Sequence, residues 1–258
     1  MIFKKEAGQY ILMLLIAVIG FIGINPTYAN GFKRVGNVYV MDNNPVENRV
    51  IAYKRFSNGE LKEFRSVRTG GAGAGDNAAN DPLGSQGSVM LSKDKRTLYV
   101  VNAGSNNISV FHLRRSGRPI LIQVVDSNGI FPVSLTSDGE TLYVLNSGDD
   151  GTISGYRQSE SGRLDPIPNS VRALNLGEVG PPIGDARNLA PGAISIDPLS
   201  RRIFVPYAGG GSGGQLLTFT LNDDDTPSAT ATVTESAGPV PFSVNFTNNG
   251  SALVAEAS

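Results

Sequence analysis

Cysteine is absent from the 258 residues. That excludes disulfides, a thiolate nucleophile, Cys-ligated zinc and a lipidated N-terminal cysteine. His112 is the single histidine, so a multi-histidine metal centre within one chain is excluded too. Neither a metal nor a cofactor is expected. Charge is scarce: 17% of residues are Asp, Glu, Lys or Arg, below the roughly 25% of an average soluble domain. With 22 Lys and Arg against 23 Asp and Glu, no excess of cations exists to displace phosphate counterions, and nucleic acid is not an expected partner. What is plentiful is glycine, 31 residues, well above its usual share of about 7%. Few charges, many glycines and many Val, Ile and Leu describe short buried strands joined by tight turns.

The N-terminus reads as a targeting segment. Lys4 and Lys5 precede an apolar run from Tyr10 to Ile24, Asn25-Pro26 breaks any helix, and Thr27-Tyr28-Ala29 supplies small residues for a signal peptidase. Fifteen apolar residues span roughly 22 Å as a helix, short of a ~30 Å hydrocarbon core. The sequence therefore predicts a signal peptide over 1–29, cleaved after Ala29, and a secreted or periplasmic protein with no membrane partner after cleavage.

A repeat organises the rest, predicted as one domain over 30–258. Val38-Tyr39-Val40-Met41-Asp42, Leu98-Tyr99-Val100-Val101-Asn102, Leu142-Tyr143-Val144-Leu145-Asn146, Ile203-Phe204-Val205-Pro206-Tyr207 and Ala252-Leu253-Val254-Ala255-Glu256 share one pattern. Each is a nearly continuous apolar run, as suits a strand covered on both faces. A shorter strand precedes most of them: Ser88 to Leu91, Val133 to Thr136, Ala193 to Ile196 and Phe242 to Asn245. Turns such as Ser137-Asp138-Gly139 and Asn248-Asn249-Gly250 join the two, and such residues tolerate positive φ. A third strand carries an aromatic near its end (Tyr53, Phe111, Tyr156, Phe219), and a looser fourth follows. Four antiparallel strands per unit, with no helical pattern, predict an all-β fold: a β-propeller of four-stranded blades. A two-sheet sandwich is the alternative, but it would not repeat its sequence so regularly.

Blades are expected at about 36–68, 87–126, 131–168, 192–234 and 241–258. The first unit has no evident inner strand and the fifth has only two strands, so about four to five blades are present. The pattern as displayed does not close a ring, which predicts an incomplete copy whose open edge after Glu256 is prone to self-association.

Leu-Tyr-Val-x-Asn followed by an Asn-Asn-Ile-Ser-Val-Phe type strand, clearest over Leu98 to Leu113 and Leu142 to Tyr156, resembles the lactonase-like seven-bladed β-propeller family. That family includes 6-phosphogluconolactonase-like and YVTN-repeat proteins. The resemblance implies seven blades and, in some members, opening or forming of lactone rings. It also implies a histidine directly after a proline at an inner-strand start, with Arg and Glu nearby. Here the matching pairs are Pro132-Val133, Pro191-Gly192 and Pro241-Phe242, with Gly87-Ser88 in the remaining unit. None carries a histidine.

Two long outer-to-inner connections, roughly Thr69 to Gln86 and Asn169 to Ala190, should rise on one face by blade topology. Long loops without secondary structure are uncommon and often functional. The first contains Gly70 to Gly75, which reads equally well as flexible padding. In the second, Glu178 or Asp185 is a candidate base for activating water and Arg187 a candidate oxyanion stabiliser. Asn188, with Asp76, Asn77 and Asp81 of the first, is a candidate ligand-binding residue. Simple solvation is the competing reading of all these charges. His112 aligns with Lys54, Arg157 and Thr220 and reads as a wet strand end. Asp149-Asp150-Gly151 and Asp223-Asp224-Asp225 lack the spaced acids of a calcium loop and read as hairpin turns. Two functions follow: a lactonase acting on a small cyclic ester, or a non-catalytic platform binding a protein, glycan or small ligand through its loop face.

Overall fold

The computed structural model describes residues 32–75, 83–176, 191–197, 199–209 and 213–257. The predicted signal peptide lies outside them. Among the described residues no α-helix occurs. The described residues form eighteen strands in five consecutive antiparallel sheets.

The first sheet holds β1 (Arg34–Met41), β2 (Arg49–Phe56) and β3 (Leu61–Arg68). The second orders β4 (Val89–Leu91), β5 (Thr97–Asn102), β6 (Asn107–Leu113) and β7 (Pro119–Asp126). The third runs β8 (Pro132–Ser137), β9 (Thr141–Asn146), β10 (Thr152–Gln158) and β11 (Leu164–Pro166), with β12 (Arg172–Ala173) also pairing β10. Its outer edge is split because Pro166 and Pro168 have no N–H to give a ladder. The fourth contains β13 (Ser195–Asp197), β14 (Arg202–Tyr207), β15 (Gln215–Thr220) and β16 (Thr232–Glu235), and β17 (Val240–Phe246) pairs β18 (Ala252–Ala257) in the fifth. Serial four-stranded antiparallel sheets of this kind are propeller blades.

The continuous apolar runs are strands buried on both faces. Leu98 and Val100 of β5 pack towards the first sheet with Val50 and Phe111. Their neighbours Tyr99 and Val101 face the other way, onto Leu142, Val144 and Tyr156 of the third sheet. In β9, Tyr143 and Leu145 turn to the fourth sheet and meet Ile203, Val205 and Phe219. Alternation thus survives inside each run, but both sides are core.

The tyrosine of the repeat ties neighbouring blades. Tyr39 donates its hydroxyl to the Gly117 carbonyl at 2.8 Å, Tyr99 to that of Gly162 at 3.0 Å and Tyr143 to that of Asp225 at 2.7 Å. Each acceptor sits in the hairpin joining the last two strands of the next sheet. At Gly162, φ is +79° and a Cβ would collide with Thr97, so the close approach requires glycine. In the fourth sheet Phe204 replaces the tyrosine and instead packs on Phe246 of β17, ring centroids 5.2 Å apart.

Candidate functional site

β5 and β9 each end in an asparagine, which organises one rim. Buried Asn102 donates to Asn107 Oδ1 and Ser109 Oγ, both at 2.7 Å. Asn48, also buried, donates to Asn102 Oδ1 at 2.9 Å and to the Val101 carbonyl at 3.2 Å. Asn146 repeats the role, donating to the Ser127 carbonyl at 3.1 Å and to Thr152 Oγ1 at 3.2 Å. Ser109 and Ser154 then donate to the carbonyls of Thr69 and Ser127, where the preceding outer strands end. These amides and hydroxyls pin the starts of the first two outer-to-inner connections, at Thr69 and Ser127, to the rim.

The first connection leaves from there. Its glycines, read from sequence as equally compatible with padding, are folded. Gly73 and Gly75 donate backbone N–H groups to Asn44 O and Asn43 O at 2.7 and 3.0 Å. Ala72 donates to Ser105 Oγ at 2.8 Å and accepts from the Gly104 amide at 3.0 Å. A Cβ on Gly71 would lie 2.6 Å from Asn102, Ser105 and Asn107. Glycine is there because the backbone is wedged between two blade-top turns, a close approach that flexible composition alone does not reveal.

The two long connections return side by side. Gln86 N–H donates to Gly192 O at 2.8 Å. Ser134 of β8 bridges them, donating through Oγ to Gln86 O and accepting from the Ile194 N–H at 3.2 Å. Gly192 lies against the Gly84 carbonyl with no room for a Cβ, and Leu83 and Ile194 are buried in the same apolar cluster. Beside this junction, a hollow of about 510 Å³ is lined by Tyr39 to Asn43, Leu83, Ser85, Gly87, Ser88 and Val89. Ser85 Oγ is buried there with no hydrogen-bond partner among the described residues. Asp42 is the charged residue of the lining, and its Oδ1 already accepts from the amides of Asn44 and Arg49.

The predicted site residues Glu178, Asp185, Arg187 and Asn188, and likewise Asp76, Asn77 and Asp81, lie outside the described residues. What the structure provides is the frame from which both segments depart and to which both return. Among the described residues, no group of three or more His, Asp or Glu could hold a metal ion. His112 is exposed on β6 opposite Thr97, at the far end of the strands from this rim. Asp149 and Asp150 lie in the β9–β10 turn. In the β15–β16 turn, Asp225 pairs with Arg157 at 3.1 Å and Arg201 at 3.0 Å. Sequence reading missed Asn48, Asn102, Ser85 and Gly192. The recurring terminal asparagine was their one visible signal.

The class is now defined: a β-propeller in which two long connections return side by side at one rim. Residues 38–181, more than half of the chain, match the family described as "Lactonase, 7-bladed beta-propeller". The chain belongs to that family. It is 29% identical over 153 residues to a 6-phosphogluconolactonase of Bacillus subtilis (strain 168), a match covering 58% of this chain and 42% of that protein. A Lactobacillus plantarum protein of known crystal structure superposes with TM-score 0.59 at 17% identity, covering 85% of this chain and 60% of the other. The periplasmic gluconolactonase of Pseudomonas aeruginosa is 18% identical, with TM-score 0.44 over 85% of this chain and 75% of its own. The chain thus spans less than half of its curated relative's length.

Proposed function

We propose that this chain belongs to an exported lactone-handling propeller, hydrolysing or forming a small cyclic ester at the crossover rim. The observation that carries the reading is membership of the lactonase family over residues 38–181. Two features of the rim support it. The crossovers bearing the candidate base and cation come together at Gln86 and Gly192. The adjoining hollow combines apolar walls from Val40, Met41, Leu83 and Val89 with a few polar side chains, suited to a small neutral ring.

In the hydrolytic direction, Glu178 or Asp185 takes a proton from water, and the resulting hydroxide adds to the lactone carbonyl carbon. Arg187 stabilises the tetrahedral oxyanion. Collapse re-forms the carbonyl and breaks the ring C–O bond. The protonated base returns its proton to the departing alkoxide, which regenerates the base and gives the open hydroxy acid. No metal is needed for this sequence.

The test is turnover of a panel of sugar and aliphatic lactones by the full-length protein, followed as acid release. Loss of activity in Arg187→Ala with retained fold is expected. Failure to turn over any lactone, with ligand capture intact, would favour the non-catalytic platform instead.

A further inference from the structure

We propose that the opposite rim carries a second site, which takes a compact anion of two or more charges, either a phosphate ester or a polycarboxylate. It is independent of the lactonase reading, because it lies at the Thr97 end of β5 whereas the crossover rim lies at the Asn102 end.

Between the first and second sheets is a hollow of about 710 Å³ lined by Asn37, Tyr39, Lys95, Arg96, the segment His112 to Arg115, Ser116 and Gly117. Four of its ten residues are cations and none is acidic, in a chain whose acids outnumber its cations 23 to 22. Lys95, Arg114 and Arg115 enter none of the ion pairs found among the described residues. Arg96 is close enough to Asp94 to help hold that carboxyl below its usual range, behind hydrogen bonds from Ser92 and from the Arg96 amide.

The repeat supplies its own control. At the next junction the equivalent hollow is lined by Asp94, Glu140, Glu160 and Asp225 as well as by Lys93 and Arg157. There the counterpart of the Lys95-Arg96 turn is Gly139-Glu140, and the counterpart of Arg114-Arg115 is Ser159-Glu160. Lys95 occupies a left-handed backbone position, φ +59°, where that equivalent turn has Gly139 at +108°. Arg201, left-handed in the corresponding turn of the fourth sheet, has Asp225 as a partner; Lys95 has no such partner. A lysine is therefore kept where glycine costs less, beside two arginines with no acid to offset them.

The walls are fixed. Tyr39 donates to Gly117 O at 2.8 Å, and Arg34 donates to Ser116 O at 2.6 Å and to Asn37 Oδ1 at 2.5 Å. Gly117, at φ +77°, sits against Asn37 with no space for a Cβ. The hairpin bearing Arg114 and Arg115 is thereby clamped to β1. A rigid concavity with several guanidinium and ammonium donors suits charge-assisted hydrogen bonding to a small multivalent anion.

Calorimetric titration of the full-length protein with inorganic pyrophosphate and with citrate, at low and high salt, tests the site. Saturable binding that weakens with salt is expected. Arg114→Ala with Arg115→Ala should weaken it about tenfold or more. Lys95→Gly, which the turn accommodates, should weaken it by a smaller factor, while Arg68→Ala, in an ion pair elsewhere, should not. Preference for pyrophosphate assigns the site to phosphate esters, and preference for citrate to polycarboxylates. No saturable binding of either probe, or equal weakening by Arg68→Ala, overturns the proposal. Lactone turnover should be unchanged in the Arg114, Arg115 and Lys95 variants, so the two readings fail separately.

Discussion

Tyr99, Tyr143 and Tyr156 each combine a buried ring with a hydroxyl held by a carbonyl of another segment. Burial pushes all three phenols up to about 12 from an ordinary value near 10. The folded state therefore holds these protons more tightly than the unfolded chain. Their stabilising contribution is complete below about pH 10 and is lost as pH rises from there towards 12 and beyond. Ultraviolet titration should show a late-ionising class of tyrosines, with unfolding accompanying it. Tyr143→Phe keeps the ring but removes the bond to Asp225 O, and should cost about 1 kcal/mol in urea unfolding. Gly162→Ala places a methyl against Thr97 at positive φ and should cost more, about 2 kcal/mol or above. The tyrosine was visible in sequence only as part of a strand pattern. Its partner lies one blade away, and no local rule pairs Tyr99 with Gly162.

At the scale of the element, the strands were legible because the physics is local. Leu98 to Asn102 and Leu142 to Asn146 show unbroken hydrophobicity of strand length, flanked by turn residues, and both are fully buried strands. The first sheet holds three strands among the described residues, in keeping with the lack of an inner-strand pattern in the first unit. Gly70 to Gly75 was legible only as composition, since the same glycines serve a mobile linker or a backbone packed too tightly for side chains. Which applies depends on Asn43 and Ser105, partners distant in sequence. Asn102→Ala should distinguish an anchoring role from a surface one. It leaves Asn48, Asn107 and Ser109 short of partners in a buried setting, and should lower stability by about 2–3 kcal/mol in chemical denaturation. Gly213→Ala, with nothing near its Cβ, should be nearly neutral by comparison.

For the whole molecule, blade topology dictates that outer-to-inner connections share an end with the turns between second and third strands. That rule let the sequence place both long crossovers on one rim before any contact was known. Coordinates add what topology alone does not: the crossovers are bonded to each other through Gln86 and Gly192 and share Ser134. The chemistry was less legible than the architecture. The repeat residues serve blade packing, so Tyr, Asn and Gly recur for structural reasons, while candidate catalytic groups fall in segments that do not repeat. Family membership defines the architecture, and the lactone chemistry is the proposal built on it.

Joining of the two crossovers is the claim on which the proposed site depends, and amide hydrogen exchange at Gln86 measures it most directly. The Gln86 amide should exchange orders of magnitude more slowly than an unprotected amide in the native protein. It should lose that protection in Gly192→Ala, where a methyl would press on the Gly84 carbonyl. Exchange of Gln86 at the unprotected rate in the wild-type protein would contradict the account.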